Sequence, residues 1–157
     1  MTPASVREAA FDLMDEYAAR LDADRLEEWL DLFAEDAVYQ VIPRENVDRG
    51  LPVSIVLCTN KKMLRDRTVS LRRANLYNLH YDRHLIGSVR VREAADEIWQ
   101  VNANYAVYQT NLEGQSRLFS VGAYCDKVRL CDGHLLFAEK RVIVDTFSIP
   151  TLLATPL

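Results

Sequence analysis

The sequence predicts an α+β domain in which one long N-terminal helix packs on a strongly curved antiparallel sheet. Three observations carry that expectation. Val6, Ala10, Leu13, Tyr17 and Leu21 recur at intervals of three and four, the spacing of a helical apolar face. From Tyr81 onward the apolar period drops to two, across four long runs. Between these regions, Arg25 to Val41 changes period within itself: Leu26, Trp29, Leu30 and Phe33 are helically spaced, whereas Ala37, Tyr39 and Val41 alternate.

Thr2-Pro3 supplies an N-cap and a first helical residue, so the first helix starts there and runs about five turns to Asp22. Asp36 marks the switch from the short Trp29 helix into a strand, where a short polar side chain can bond to local backbone. Pro43 to Pro52 reads as a loop and Ile55 to Leu57 as a short apolar run. Asn60 caps a helix from Lys61 to about Ala74, with Met63, Leu64, Val69 and Leu71 as its apolar positions. Strands are expected at about His84–Arg92, Ile98–Thr110, Arg117–Leu130 and Leu135–Thr146. They are joined by Ala94-Ala95-Asp96, Glu113-Gly114 and Asp132-Gly133, the last two being two-residue hairpin signals. Strands this long must twist and bend to cover one helix.

If Asp132-Gly133 is the central pair of its turn, Cys131 faces His134 and Val128 faces Phe137. Counting on, Asp126 meets Glu139 and Tyr124 meets Arg141, while Val121–Val144 and Ala123–Val142 form the opposite, apolar face, which is expected to be core. Two opposed carboxylates would repel unless Arg141 bridged them.

With 157 residues the chain makes one domain, residues 1–157, able to bury roughly two thirds of its unfolded surface without staples or metals. Five Gly and five Pro leave no linker, and no segment repeats. Cys58, Cys125 and Cys131 are an odd set without a Cys-x-x-Cys pair, so neither a disulfide framework nor a zinc knuckle is indicated. No signal peptide or membrane-length apolar run is present, and a cytoplasmic, soluble protein is expected. A net charge of −4 argues against a nucleic-acid partner. Lys61, Lys62, Arg65, Arg67, Arg72 and Arg73 nevertheless crowd one helix with Asp66 alone opposing them. That helix reads either as a solvated face or as a docking surface for an acidic partner.

His80, Asp82 and His84 share one strand face and have the ligand types of a non-haem iron triad. Neighbours on one face lie almost 7 Å apart, roughly, which is too far to close on one ion. Tyr39, His80, Asp82 and Tyr105 form an alternative set, a His–Asp pair with tyrosines suited to proton abstraction in a pocket. There is no Gly-x-Ser-x-Gly, phosphate loop or deaminase signature.

The helix, Trp, Phe, turn and Tyr-strand arrangement resembles the opening of the cone-shaped, cystatin-like folds related to nuclear transport factor and scytalone dehydratase. A more specific likeness rests on Tyr81-Asp82-Arg83-His84-Leu85-Ile86-Gly87-Ser88-Val89-Arg90-Val91, Tyr124-x-Asp126-Lys127, the Asp132-Gly133 hairpin, Glu139-x-Arg141-Val142-Ile143-x-Asp145 and Leu152-Leu153-Ala154-Thr155-Pro156-Leu157. These resemble the small (beta) subunit of Rieske-type aromatic-ring-hydroxylating dioxygenases, and the ending resembles the branch handling aromatic carboxylates. Many relatives have Ser-Asn where this chain has Gly87-Ser88.

The resemblance implies a non-catalytic subunit that forms a trimer and supports three large (alpha) subunits. Those would carry the iron–sulfur cluster and the mononuclear iron, with NADH used by a reductase component. It agrees with the residue inventory, since none of the three cysteines is followed two residues later by His, as a Rieske ligand pair would require. Arg65, Arg72, Arg83, His84, Arg90 and Arg141 are the candidate subunit contacts. The rival readings are a free-standing cone-fold dehydratase or isomerase using Tyr39, His80 and Asp82, and a homo-oligomeric binding protein with an apolar pocket.

Overall fold

The computed structural model describes residues 2–73, 79–95, 97–146, 153 and 155–157. Ala74, Asp96, Leu152 and Ala154, which figure in the expectations above, lie outside the described residues. The first helix, α1 (Pro3–Asp22), starts where the sequence places it: the Thr2 side chain accepts the Ser5 N–H at 3.2 Å. Its buried face comprises Val6, Ala10, Leu13, Met14, Tyr17 and Leu21. A one-turn helix α2 (Leu26–Trp29) and a 3-10 turn (Leu30–Leu32) lead directly into strand β1 (Phe33–Pro43). Asp36 is exposed, and its carboxylate reaches across to the Arg129 guanidinium.

The expected loop after β1 contains a short helix, α3 (Arg44–Asp48), which ends at Gly50 with φ +66°. An edge strand β2 (Val56–Cys58) follows, then α4 (Lys61–Arg73), whose Met63 N–H is capped by Asn60 Oδ1 at 2.9 Å. The buried face of α4 is Leu64, Thr68 and Leu71, whereas Met63 and Val69 are exposed. Thr68 is accommodated there because its hydroxyl donates back to the Leu64 carbonyl at 3.2 Å.

Four long strands complete the chain: β3 (His80–Glu93), β4 (Ile98–Asn111), β5 (Ser116–Cys131) and β6 (His134–Val144). Asp132 and Gly133 both take positive φ, the geometry of a tight two-residue hairpin, and Cys131 faces His134. The β4–β5 connection is longer than expected. Asn111 N–H donates to the Gln115 carbonyl, and Leu112 to Gly114 form the loop between them.

The six strands form one sheet in the order β2-β1-β6-β5-β4-β3. Every described pairing is antiparallel except β1 with β6, which is parallel, so the sheet is mixed. Register shifts interrupt the β1–β6, β3–β4, β4–β5 and β5–β6 pairs, the irregularities by which long strands gain local twist and bend.

One bulge overturns part of the expected register. Val128 faces Phe137 as anticipated, but Lys127 then faces Glu139, and Ala138 has no partner opposite. Beyond it every pair is displaced by one: Tyr124 meets Val142, Ala123 meets Ile143 and Gly122 meets Val144. The inner face of β5 is therefore Gly122, Tyr124, Asp126 and Val128 rather than the expected Val121 and Ala123, and that of β6 changes from Leu135 and Phe137 to Lys140, Val142 and Val144. The anticipated Asp126–Glu139 clash does not arise, because Glu139 pairs with Lys127 at 2.6 Å.

Between α1 and the sheet lies an aromatic cluster. The Tyr17 ring meets Trp29, Phe33, Tyr124 and Phe137 at centroid distances from 5.6 to 6.5 Å. Trp29 stands edge-on to Phe33 at 4.7 Å and to Tyr39 at 5.8 Å. Such tilted and edge-to-face pairs add roughly 0.5–1.5 kcal/mol each beyond area burial.

Candidate functional site

The alternation of β3 turns Asp82 and His84 inward and leaves Tyr81, Arg83 and Leu85 outside. His84, expected at a subunit contact, is 6 % exposed. Its Nδ1 lies 2.6 Å from Asp22 Oδ1, and its backbone N–H donates to both Asp22 oxygens at 3.1 Å. Asp22 is the last residue of α1, so this carboxylate ties the helix end to β3. Nε2 of His84 is buried without a partner among the described residues.

Asp82 sits one step along the same face. Its Oδ2 accepts the Thr155 hydroxyl at 2.7 Å and lies 3.4 Å from His80 Nε2. Tyr39, buried on β1, accepts the Leu157 N–H at 3.1 Å, and the Tyr17 hydroxyl donates to the Leu157 main-chain oxygen. Three members of the anticipated proton-transfer set, Tyr39, His80 and Asp82, are thus arranged around the chain's own residues 155–157. The fourth is elsewhere: Tyr105 stacks on Tyr124 at 4.6 Å and shares a 3.0 Å hydrogen bond with Ser120. Gly122 makes that stack possible, since a Cβ there would strike the Ile143 carbonyl and approach the Tyr105 ring.

Burial pushes the Tyr39 hydroxyl up to about 12, and it drives those of Tyr17, Tyr105 and Tyr124 above the usual tyrosine value as well. All four therefore stay protonated near neutrality and do not serve as bases; Tyr17, Tyr39 and Tyr105 act as hydrogen-bonding groups, whereas the buried Tyr124 hydroxyl has no partner among the described residues. His80, Asp82 and His84 share the inner strand face, yet among the described residues no three His, Cys, Asp or Glu side chains gather to hold a metal ion.

Sequence reasoning missed the most buried charges. Lys140 and Asp126 are both fully buried, with Nζ 2.8 Å from Oδ2. The other Asp126 oxygen accepts the Arg141 backbone N–H at 3.2 Å. The ammonium also lies 3.3 Å from the centre of the Tyr124 ring and 4.2 Å from that of Tyr17. Burial raises the Asp126 carboxyl to about 6 and lowers the Lys140 amine to about 8, each opposed by the other's charge. The sequence pattern places Asp126 with Tyr124 and Val128 on the face expected to lie away from the core, so it offers no signal that Asp126 is buried and needs a cation beside it.

Of the anticipated surface contacts, Arg72 is engaged within the chain by Glu27 and Asp24, at 3.0 and 2.6 Å. Arg141 donates from Nε to Gln40 at 3.1 Å. Arg65, Arg83 and Arg90 are exposed, Arg83 lying 3.8 Å from Asp22. Beside Arg83, Tyr81, Leu85, Tyr108 and Leu118 expose 40 to 64 % of their surfaces on the outer face of β3, β4 and β5. At the other end of the sheet, α2, β1, β2, α4 and residues 153, 155 and 156 line a small cleft of about 20 Å³. Among the described residues no helix is long and apolar enough to cross a membrane.

Comparison with known proteins identifies this architecture. Residues 16–151 match the family described as ring hydroxylating beta subunit. The small subunit of anthranilate 1,2-dioxygenase from Burkholderia cepacia is 46 % identical over 92 % of this chain and 90 % of its own length. A beta subunit of the terminal oxygenase component of terephthalate 1,2-dioxygenase from Comamonas sp is 33 % identical over 90 % of this chain and 92 % of its own. Among solved structures, a beta subunit assigned to an aromatic-ring-hydroxylating dioxygenase of Novosphingobium aromaticivorans superposes with a TM-score of 0.89, at 42 % identity and 98 % coverage of both chains. The cone-fold chain described here therefore belongs to the family of ring-hydroxylating beta subunits, the small-subunit component of aromatic-ring-hydroxylating dioxygenases.

Proposed function

We propose that this chain is the non-catalytic structural subunit of an oxygenase acting on an aromatic carboxylate, and that it supports large subunits holding the iron–sulfur cluster and the mononuclear iron. Electrons would reach them from NADH through a reductase. The observation that carries this reading is the similarity, 46 % and 33 % identical over 90 % or more of this chain, to the small subunits of anthranilate and terephthalate dioxygenases. A second support is physical: Tyr39 and Asp82, which a free-standing cone enzyme would need, are committed to residues 155 and 157 of the chain itself.

Three small subunits then pair with three large ones in the cytoplasm. A three-fold ring needs two different complementary surfaces on each copy. The outer apolar face of Tyr81, Leu85, Tyr108 and Leu118, flanked by Arg83, suits one of them. Arg65 and Arg90 offer further charged contacts, whereas the intramolecular bonds of Arg72, Arg141 and His84 give these three supporting roles.

Affinity purification of the tagged chain from its own cells tests the reading. It expects a larger, coloured partner in equal amount with iron–sulfur absorbance. Leu85→Asp and Arg83→Ala should change the melting of the isolated chain little and reduce the recovered partner. A colourless product without a stoichiometric partner would overturn the subunit role.

A further inference from the structure

The sheet carries an exposed apolar surface at each end. One is the outer face of Tyr81, Leu85, Tyr108 and Leu118 on β3, β4 and β5; the other lies at the β2 end. There Leu51, Val53, Ile55 and Leu57 expose 46 to 65 % of their surfaces, while Val56 and Cys58 point into the core. Leu57 stands opposite Gln40, on the outer side of the sheet. The chain holds this ridge in place: Leu51 N–H donates to the Asn46 carbonyl at 2.7 Å, Asn46 Nδ2 to the Val53 carbonyl at 2.8 Å and Ile55 N–H to the Val41 carbonyl at 2.8 Å. Four large apolar side chains exposed together on a fixed segment mark an interaction surface.

The charges decide what covers it. Beside the ridge, α3 exposes Glu45 and Asp48 against Arg49, its Arg44 being held by Asp145. At the other end, β3 exposes Arg83, Arg90 and Arg92, with Glu93 as its last residue. Two ridges meeting would set Glu45 and Asp48 against their own copies, and two β3 faces would set arginines against arginines. A ridge on a face brings opposite charges together around an apolar centre.

We propose that the ridge of residues 51–57 in one copy docks on the Tyr81, Leu85, Tyr108 and Leu118 face of the next. The inference rests on the three-fold reading above and supplies the second surface that such a ring requires. Because the two surfaces differ and lie at opposite ends of one sheet, the contact is head to tail and every copy uses both.

The test measures the size of the full chain by light scattering, expected at three times 18.0 kDa. Leu57→Asp and Leu85→Asp should each give monomers, and Val53→Asp repeats the ridge test should Leu57→Asp lose its fold. Diluted until the copies separate, all three should melt with the wild type, since these side chains are exposed in the single copy. Mixed in equal amounts at high concentration, Leu57→Asp and Leu85→Asp should form a dimer that grows no further, the intact ridge of one meeting the intact face of the other. Ridge variants that stay trimeric would overturn the proposal, as would a mixture that stays monomeric or a wild-type chain that is not a trimer. Recovery of the large partner from cells is a separate readout: its failure would sink the subunit role and leave the contact between copies standing.

Discussion

Lys140 and Asp126 form a fully buried ion pair, 2.8 Å apart, across strands that a bulge at Ala138 sets one residue out of simple hairpin register. Without that bulge Asp126 would face Glu139, so the bulge and the pair are one device. Removing a single partner leaves an uncompensated charge in the core, which costs roughly 3–5 kcal/mol. Replacing both by apolar groups removes the desolvation penalty along with the attraction. Lys140→Met and Asp126→Leu alone should therefore each destabilise strongly, and the two together should recover most of the loss. Urea midpoints of the three variants check this, and an additive double variant would contradict it.

The same pair sets a pH dependence. Asp126 holds its proton to about pH 6 when folded, whereas the free carboxyl releases it near 3.8, so stability falls as pH rises between those values. Lys140 loses its proton near 8 when folded and near 10.5 when free, so stability rises again across that window. Each swing is on the order of 1–3 kcal/mol. Wild-type stability minus that of the double variant, measured by urea titration from pH 4 to 10, should be lowest between about 6 and 8.

Gly122→Ala should be among the most damaging small changes. The added methyl meets backbone at Ile143 and the ring of Tyr105, and neither can retreat without breaking the β5–β6 ladder or the Tyr105–Tyr124 stack. A loss of about 1–3 kcal/mol is expected, read as a lowered melting temperature. Gly87→Ala, where a Cβ would meet nothing, is the matched control.

Asp22→Ala leaves the His84 backbone N–H and Nδ1 without their acceptor and frees the end of α1 from β3, an expected loss of about 1–3 kcal/mol. Arg83→Ala removes the exposed neighbour of the same carboxylate, whose side chain is 70 % exposed, and should change stability by under about 1 kcal/mol. Thermal melts of the two variants side by side separate buried from solvent-screened contacts.

Local chemistry made much of this fold legible. The α1 face from Val6 to Leu21, the Ala37, Tyr39 and Val41 alternation and the Asp132-Gly133 turn all follow from neighbouring residues, and the structure has them. Lys140 was not legible, because nothing in its sequence neighbourhood announces the bulge that turns it inward. The partners of Asp82 and Tyr39 lie 73 and 118 positions away, so spacing along one strand could not reveal that chain residues, rather than a ligand, satisfy them. On α4 the pattern named Met63, Leu64, Val69 and Leu71; the helix docks on Leu64 and Leu71 together with Thr68, leaving Met63 and Val69 exposed, an orientation set by β1 and α2.

The parallel β1–β6 pair also shapes how the chain reaches this structure. β6 comes last among the strands yet lies in the middle of the sheet, joining β2-β1 to β5-β4-β3. Until it has left the ribosome the two halves have no ladder between them, and Phe137 and Val142 cannot yet close the core against Phe33 and Val41. Closure requires strands about a hundred residues apart in sequence, a non-local step that slows folding and leaves sheet edges open to pairing with other chains. Folding is therefore expected to commit only once β6 is made, and a chain stalled before His134 should aggregate more readily than the full chain.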